Sequence, residues 1–316
     1  MLLQGAIILF TLAATGAAGG GGGSSGTTSS LSSDTSSAPS STSSGSSSSE
    51  GSSSTDCSTW SEVASDLSST FQGCGPAARG AIRAPFHDCI NNGCDGSLIL
   101  GDECGRSENA GLTATCSLLA AKAKQYSVGT ADMIQFAAAV AIAVCPLGPR
   151  VRALVGRTDS STPAEEGQVP GTKDPIDSIL GKFAAVGMSA NDVVALVGSH
   201  TAATQSFDDP SQAGKALDST PSRWDVRFYS ETRAGTAPYS FSSDRRMTND
   251  SSTEGSWNLF ARSQGAWASA FTSAWNRFVV VGNDVESLKD CSSSLPGSSR
   301  RRAEGMSRPM GAIAFH

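Results

Sequence analysis

Fifteen consecutive residues, Arg83-Ala-Pro-Phe-His87-Asp88-Cys89-Ile-Asn-Asn-Gly93-Cys94-Asp95-Gly-Ser97, constrain this chain more than any other stretch. Arg83 and His87 are four apart, so on a helix they stack on one face and set a permanent cation beside a neutral base. Asp88, Asp95 and Ser97 follow at once, oxygen donors spaced to suit a hard cation such as calcium. Cys89 and Cys94 flank the turn between them. Pro85 lies inside the helix, deletes the bond to the Ala81 carbonyl and is expected to bend it.

The rest of the chain divides by composition. Residues 1–18 begin with an apolar run and decay into small residues, which reads as a secretory signal peptide. Its apolar core is too short to span a bilayer, so stable membrane insertion is not expected. Residues 19–55 are almost all Gly, Ser and Thr, too poor in apolar side chains to offset the entropy of ordering, and read as a disordered linker. The folded unit then covers residues 56–291, enough for one substantial core. Residues 292–316, with the basic run Arg300 to Arg302, lack core-forming periodicity and read as a disordered tail. All eight cysteines fall inside the folded unit, which with a secretory leader points to an oxidising compartment. A net charge of −6 argues against nucleic acid as a partner.

Helical spacing dominates that unit. Trp60, Val63, Leu67 and Phe71 form one stripe over 58–71, behind a cap at Asp56 or Ser58. A second helix, from about Ala77, delivers Arg83 and His87. Residues 130–144 read as a buried helix opened by a Thr130 cap and stopped by Pro146, and 174–186 as a short one. Ser189-Ala-Asn-Asp192 is a capping-box start whose helix ends in His200. Trp267, Phe271, Trp275 and Phe278 line one helical face as core. Only three histidines exist, His87, His200 and the last residue, His316. Thr201 follows it, and then Asp218-Ser-Thr220-Pro-Ser-Arg223-Trp-Asp225, a second oxygen-rich constellation. Asn249-Asp-Ser251 is an N-glycosylation acceptor sequence.

The 83–97 run resembles the distal-side motif of the secreted haem peroxidases of the plant and fungal superfamily. The resemblance covers roughly Cys57 to Cys291 and is nearest the secreted fungal (class II-like) enzymes, with a plant-type cysteine pair in the distal calcium loop. It implies an all-α haem peroxidase fold, two helical halves sandwiching one haem b. Arg83, His87 and Asn109 would be the catalytic residues. A pair at Glu103 and Asn109 would hold His87, the Asn109 oxygen accepting Nδ1–H and leaving Nε2 as the base. Phe86 would pack over the distal face of the haem. His200 would be the axial iron ligand, its other ring nitrogen hydrogen-bonded to Asp244. Leu217 stands where an aromatic residue commonly packs on that imidazole.

The same resemblance implies two calcium ions. The distal one would be held by Asp88, Gly93, Asp95 and Ser97, the proximal one by Thr201, Asp218, Thr220, Asp225 and a carbonyl at Arg223. Val-Gly-Arg157-Thr-Asp159 is similar to a structural signature of the superfamily, and Gly167 to Pro170 to a turn at the haem edge. The spacings alone leave the disulfide connectivity open. The resemblance pairs Cys57 with Cys291, Cys74 with Cys145 and Cys89 with Cys94, which leaves Cys104 with Cys116.

The activity so implied is extracellular reduction of hydrogen peroxide to water with oxidation of small phenolic or dye-like donors at the haem edge, by a monomer that is secreted or held at the cell wall. Manganese peroxidases carry carboxylates seven and three residues before the distal arginine and a third after the proximal histidine; here those positions are Pro76, Gly80 and Ser206, so no manganese site is expected. Lignin and versatile peroxidases carry a surface tryptophan five residues before the proximal histidine, where this chain has Ala195. The rival is a catalytically idle haem- and calcium-binding surface protein on the same scaffold.

Overall fold

The computed structural model describes residues 57–91 and 93–297. The expected signal peptide, linker, Asp56 cap and tail beyond residue 297 lie outside the described residues. Eleven α-helices occur among them, together with one two-residue strand pair, β1 (Leu154–Val155) antiparallel to β2 (Lys289–Asp290). The chain is therefore all-α in architecture. Among the described residues no single helix is long and apolar enough to cross a membrane.

The first half is built around α5 (Thr130–Val144), every residue of which from Thr130 to Ile142 is buried. Against it pack α1 (Ser58–Thr70), α2 (Pro76–Cys89) and α4 (Thr113–Tyr126), while the single turn α3 (Ser97–Leu100) closes the loop after α2. The start of α5 is not capped by Thr130. Instead Asp159 reaches across, each carboxylate oxygen accepting one amide, from Thr130 and from Ala131, both at 2.8 Å. A carboxylate at a helix N-terminus satisfies free amides and meets the positive end of the dipole. The neighbouring Arg157 is buried against Asp132 at 2.9 Å and also donates to the Leu154 and Val279 carbonyls. These contacts give the Arg157-Thr-Asp159 stretch its structural work.

The second half comprises α6 (Ile176–Ala185), α7 (Ala190–Val197), α8 (Arg227–Ala234), α9 (Ser242–Met247), α10 (Glu254–Arg262) and α11 (Gln264–Phe278). Ser189 and Asp192 form the reciprocal capping box at the start of α7. That helix ends at Val197 and not at His200, which sits in a 3-10 turn over Gly198–Ala202. Gly198 explains the turn's position: a Cβ there would lie 2.3 Å from the Tyr229 hydroxyl and 2.4 Å from Trp267 Nε1. Only glycine lets the chain pass that close to two buried aromatics.

Disulfides join Cys57 to Cys291, Cys74 to Cys145, Cys89 to Cys94 and Cys104 to Cys116. The described residues continue past Cys291, into the stretch expected as tail from residue 292. Ser292–Ser294 form a 3-10 turn, Leu295 is buried, and Arg150 donates to the Ser292 and Pro296 carbonyls.

Candidate active site

Helix α2 runs as one helix through Pro85 and carries Arg83 and His87 on one face. His87 is buried. Its Nδ1–H donates to Asn109 Oδ1 at 2.7 Å, which fixes Nε2 as the nitrogen bearing the lone pair. Asn109 is oriented in turn by donating from Nδ2 to the backbone carbonyl of Glu103 at 2.8 Å. The Glu103–Asn109 pair thus operates through a main-chain oxygen. The Glu103 carboxylate is engaged elsewhere, accepting from the Ala164 amide at 2.8 Å and lying 3.4 Å from Arg106. Burial, and then the Arg83 charge, hold His87 well below the ordinary histidine value, against the hydrogen bond to Asn109.

Arg83 donates from Nε to His87 Nε2 at 2.8 Å and from its terminal nitrogen to the Ala110 carbonyl at 2.8 Å. Burial brings its guanidinium down to about 10, so it keeps its charge at neutral pH. The cation lies 5.1 Å from the centre of the Phe207 ring. Phe86 meets His87 edge-on at 5.0 Å and stacks on Phe183 at 5.7 Å, which ties α2 to α6.

In the second half, His200 Nδ1–H donates to Asp244 Oδ2 at 3.0 Å. Asp244 is 1% exposed and its other oxygen has no hydrogen-bond partner among the described residues, so a nearly dry carboxylate backs this imidazole. Among the described residues Nε2 of His200 makes no hydrogen bond. Leu217, buried, does not supply the aromatic contact common at its position. Phe228 and Phe241 do, edge-on to the imidazole at 5.5 Å and 5.6 Å. Phe207 stacks on Phe241 at 6.5 Å, so one line of aromatic contacts leads from Arg83 to His200. Sequence reasoning missed all three phenylalanines, since no periodicity separates a site-lining ring from a core ring. A free imidazole nitrogen on a buried carboxylate, walled by aromatic rings, fits an iron porphyrin.

Two oxygen-rich loops follow the two histidines. Asp88 accepts from the amides of Gly96 and Leu98 and from Gln135, and Asp95 from the Ser97 amide. Gly93 approaches the Asp95 carboxylate so closely that a Cβ would meet it at 3.0 Å. In the second loop Thr201 Oγ1 donates to Asp218 at 2.5 Å and lies 3.3 Å from the Arg223 carbonyl, while Thr220 Oγ1 lies 3.1 Å from Asp225 Oδ1. All five residues of the expected proximal set are therefore brought together. No group of three or more His, Cys, Asp or Glu side chains able to hold a metal occurs among the described residues. A cation at either loop would have to use hydroxyl and carbonyl oxygens as well as carboxylates, which is calcium chemistry. Asn249, distant from these groups in sequence, is exposed just after α9.

A carboxylate-backed imidazole that would hold a metalloporphyrin, together with an arginine–histidine pair able to handle a proton, suits the chemistry of a haem peroxidase. Comparison with known proteins gives the family. The peroxidase family model matches residues 61–263. A peroxidase of Arthromyces ramosus is 30% identical over 286 residues, covering 79% of this chain and 79% of the relative. The low-redox potential peroxidase of Taiwanofungus camphoratus is 33% identical over 76% and 78% of the two chains, and manganese peroxidase 3 of Phlebia radiata 33% over 69% and 70%. The chain belongs to the peroxidase family and is a haem-dependent peroxidase of the fungal type.

Proposed function

We propose that this peroxidase reduces hydrogen peroxide with electrons from small phenolic or dye-like donors taken at the haem edge, with neither a manganese site nor a tryptophan relay at position 195. The observation that carries the donor reading is the space around Gly80. A Cβ there would lie 2.1 Å from Thr115 Oγ1, so a carboxylate side chain has no room, and Pro76 and Ser206 offer none. Ala195 is fully buried and its carbonyl accepts from Trp267 Nε1 at 2.9 Å, which leaves no surface at the position of the relay.

His200 would hold the iron through Nε2, and the Asp244 carboxylate makes that nitrogen more basic by accepting a hydrogen bond from Nδ1–H. The haem, when bound, supplies an iron that takes peroxide and draws two oxidising equivalents from it. His87 Nε2 receives the peroxide proton once Arg83 Nε gives up its hydrogen bond there, and Asn109 keeps the ring in the tautomer that can do so. Arg83 keeps a fixed positive charge beside the oxygen on which negative charge develops. Phe86 restricts access to small molecules. Calcium would be held by Asp88, Gly93, Asp95 and Ser97 behind His87, and by Thr201, Asp218, Thr220, Arg223 and Asp225 behind His200. The leader, the linker and the exposed Asn249 sequon support a secreted, glycosylated protein.

The test is the haem-loaded protein under one equivalent of peroxide, followed by turnover on a phenolic dye and on manganese(II). The expected result is a Soret band that changes with peroxide, rapid dye oxidation and no saturable manganese(II) turnover. Saturable oxidation of manganese(II) would overturn the donor reading, and a Soret band indifferent to peroxide the whole of it.

A further inference from the structure

Tyr239 lies outside the two histidine environments and is half-buried. Its hydroxyl donates to Asp208 Oδ2, while Asp208 Oδ1 accepts from Thr172 Oγ1 at 2.5 Å and lies 3.9 Å from Lys173. Asp208 itself is only 8% exposed, so the phenol faces a proton acceptor shielded from bulk water. That carboxylate pushes the tyrosine up to about 12, which keeps it a full phenol at neutral pH. The Tyr239 ring stands edge-on to Phe241 at 5.9 Å, and Phe241 edge-on to His200 at 5.6 Å. Two ring contacts therefore separate a surface phenol from the residue that would hold the iron.

The chain has three tyrosines, and the other two lack this combination. Tyr229 is fully buried and donates to the Val194 carbonyl, a neutral oxygen that cannot keep a proton. Tyr126 donates to Asp66 at 2.9 Å but makes no ring contact among the described residues.

We propose that Tyr239, with Asp208 as its proton acceptor, is a surface relay through which aromatic donors too bulky for the haem edge are oxidised. The proposal rests on the peroxidase reading, which supplies the oxidant. One of the two oxidising equivalents delivered by hydrogen peroxide removes an electron from Tyr239, and the phenolic proton passes to Asp208 Oδ2. A neutral phenoxyl radical and a carboxylic acid remain. A phenol docked at the surface then loses one electron to Tyr239 and one proton to water, and Asp208 returns its own proton to the tyrosine. The pair passes from one negative charge, on the Asp208 carboxylate, to neutral and back, and the tyrosine never carries a positive charge.

The experiment mixes the full haem-loaded chain with one equivalent of peroxide, freezes it within milliseconds and records the electron paramagnetic resonance spectrum of the parent, Tyr239→Phe and Asp208→Asn. The expected result is a tyrosyl signal in the parent, narrowed when ring-adjacent positions of tyrosine are deuterated, absent in Tyr239→Phe and much weaker in Asp208→Asn. The ratio of kcat/KM for a polymeric phenol to that for a small one should fall about tenfold or more in Tyr239→Phe. An undiminished signal in Tyr239→Phe, a tryptophan-type signal in the parent, or an unchanged ratio would overturn the relay. A peroxide-induced Soret change with no tyrosyl signal sinks the relay alone; no Soret change sinks the peroxidase reading and the relay with it.

Discussion

His87 shows how far one side chain's chemistry is set by its neighbours. Asn109 fixes its tautomer, burial keeps it neutral, and Arg83 both repels a second proton and occupies the lone pair. Replacing His87 by Ala should slow the reaction with peroxide, followed by stopped flow, by at least the roughly 10²–10⁴-fold of one proton-transfer group. The pH dependence follows from the direction of its shift. The active form is the neutral imidazole, and its value in the fold lies well below the ordinary 6.5. Acidification through 6.5 therefore leaves the base unprotonated, and the rate should stay level there and fall only at distinctly lower pH. A drop centred near 6.5 would mean an ordinary, solvated histidine. Arg83, His87, Asn109, His200 and Asp244 were legible because a spacing or a resemblance named them. The rings of Phe207, Phe228 and Phe241 were not, because each reaches its site residue from a segment far away in sequence, and the Arg83–His87 bond and the Glu103 carbonyl were not, because a spacing of four or six residues makes neighbours without saying which atoms bond.

At the level of elements, legibility tracked the strength of the apolar stripe. Helices α1, α5, α7 and α11 have wide apolar faces and were readable to within a residue or three of their ends. Helix α4 was missed because its buried set is Thr115, Cys116, Leu119 and Ala123, with one strongly apolar member. Helices α8 to α10 are short and interleaved with loop residues, so no window long enough for a period exists. The cap of α5 was misread for another reason: a threonine at a helix start is a local signal, whereas the group that does the capping, Asp159, lies 28 and 29 residues downstream of the two amides that it holds. Asp159→Ala should therefore destabilise the fold by about 1–2 kcal/mol, read as a Tm lower by on the order of 2–8 °C. Thr130→Ala should cost much less, and a larger loss from Thr130→Ala than from Asp159→Ala would contradict the assignment.

Across the whole molecule the two helical groups each present one histidine and one oxygen-rich loop that begins at the next residue, Asp88 after His87 and Thr201 after His200. Cation occupancy would thus be coupled to the placement of both imidazoles. With no cation in these loops, buried carboxylates face their neighbours. Burial, and then Asp95, push Asp88 up to about 7; burial, helped by Asp225 and Glu231 and opposed by hydrogen bonds from Thr201 and Thr220, pushes Asp218 up to about 6. A carboxyl raised in the folded state keeps a proton that the unfolded chain has already released above its ordinary value of 3.8. The stability this contributes is whole below that value and is lost as pH rises through 6 to 7. Chelator-treated protein should therefore have a Tm that falls between about pH 4 and pH 7, and calcium should abolish that slope, since the ion replaces the proton. Turnover should decline on chelation before helicity does, because the loops behind the histidines give way before the packed core around α5. Treated protein that has lost its metal yet keeps full turnover and a pH-independent Tm would show that neither loop is a calcium site.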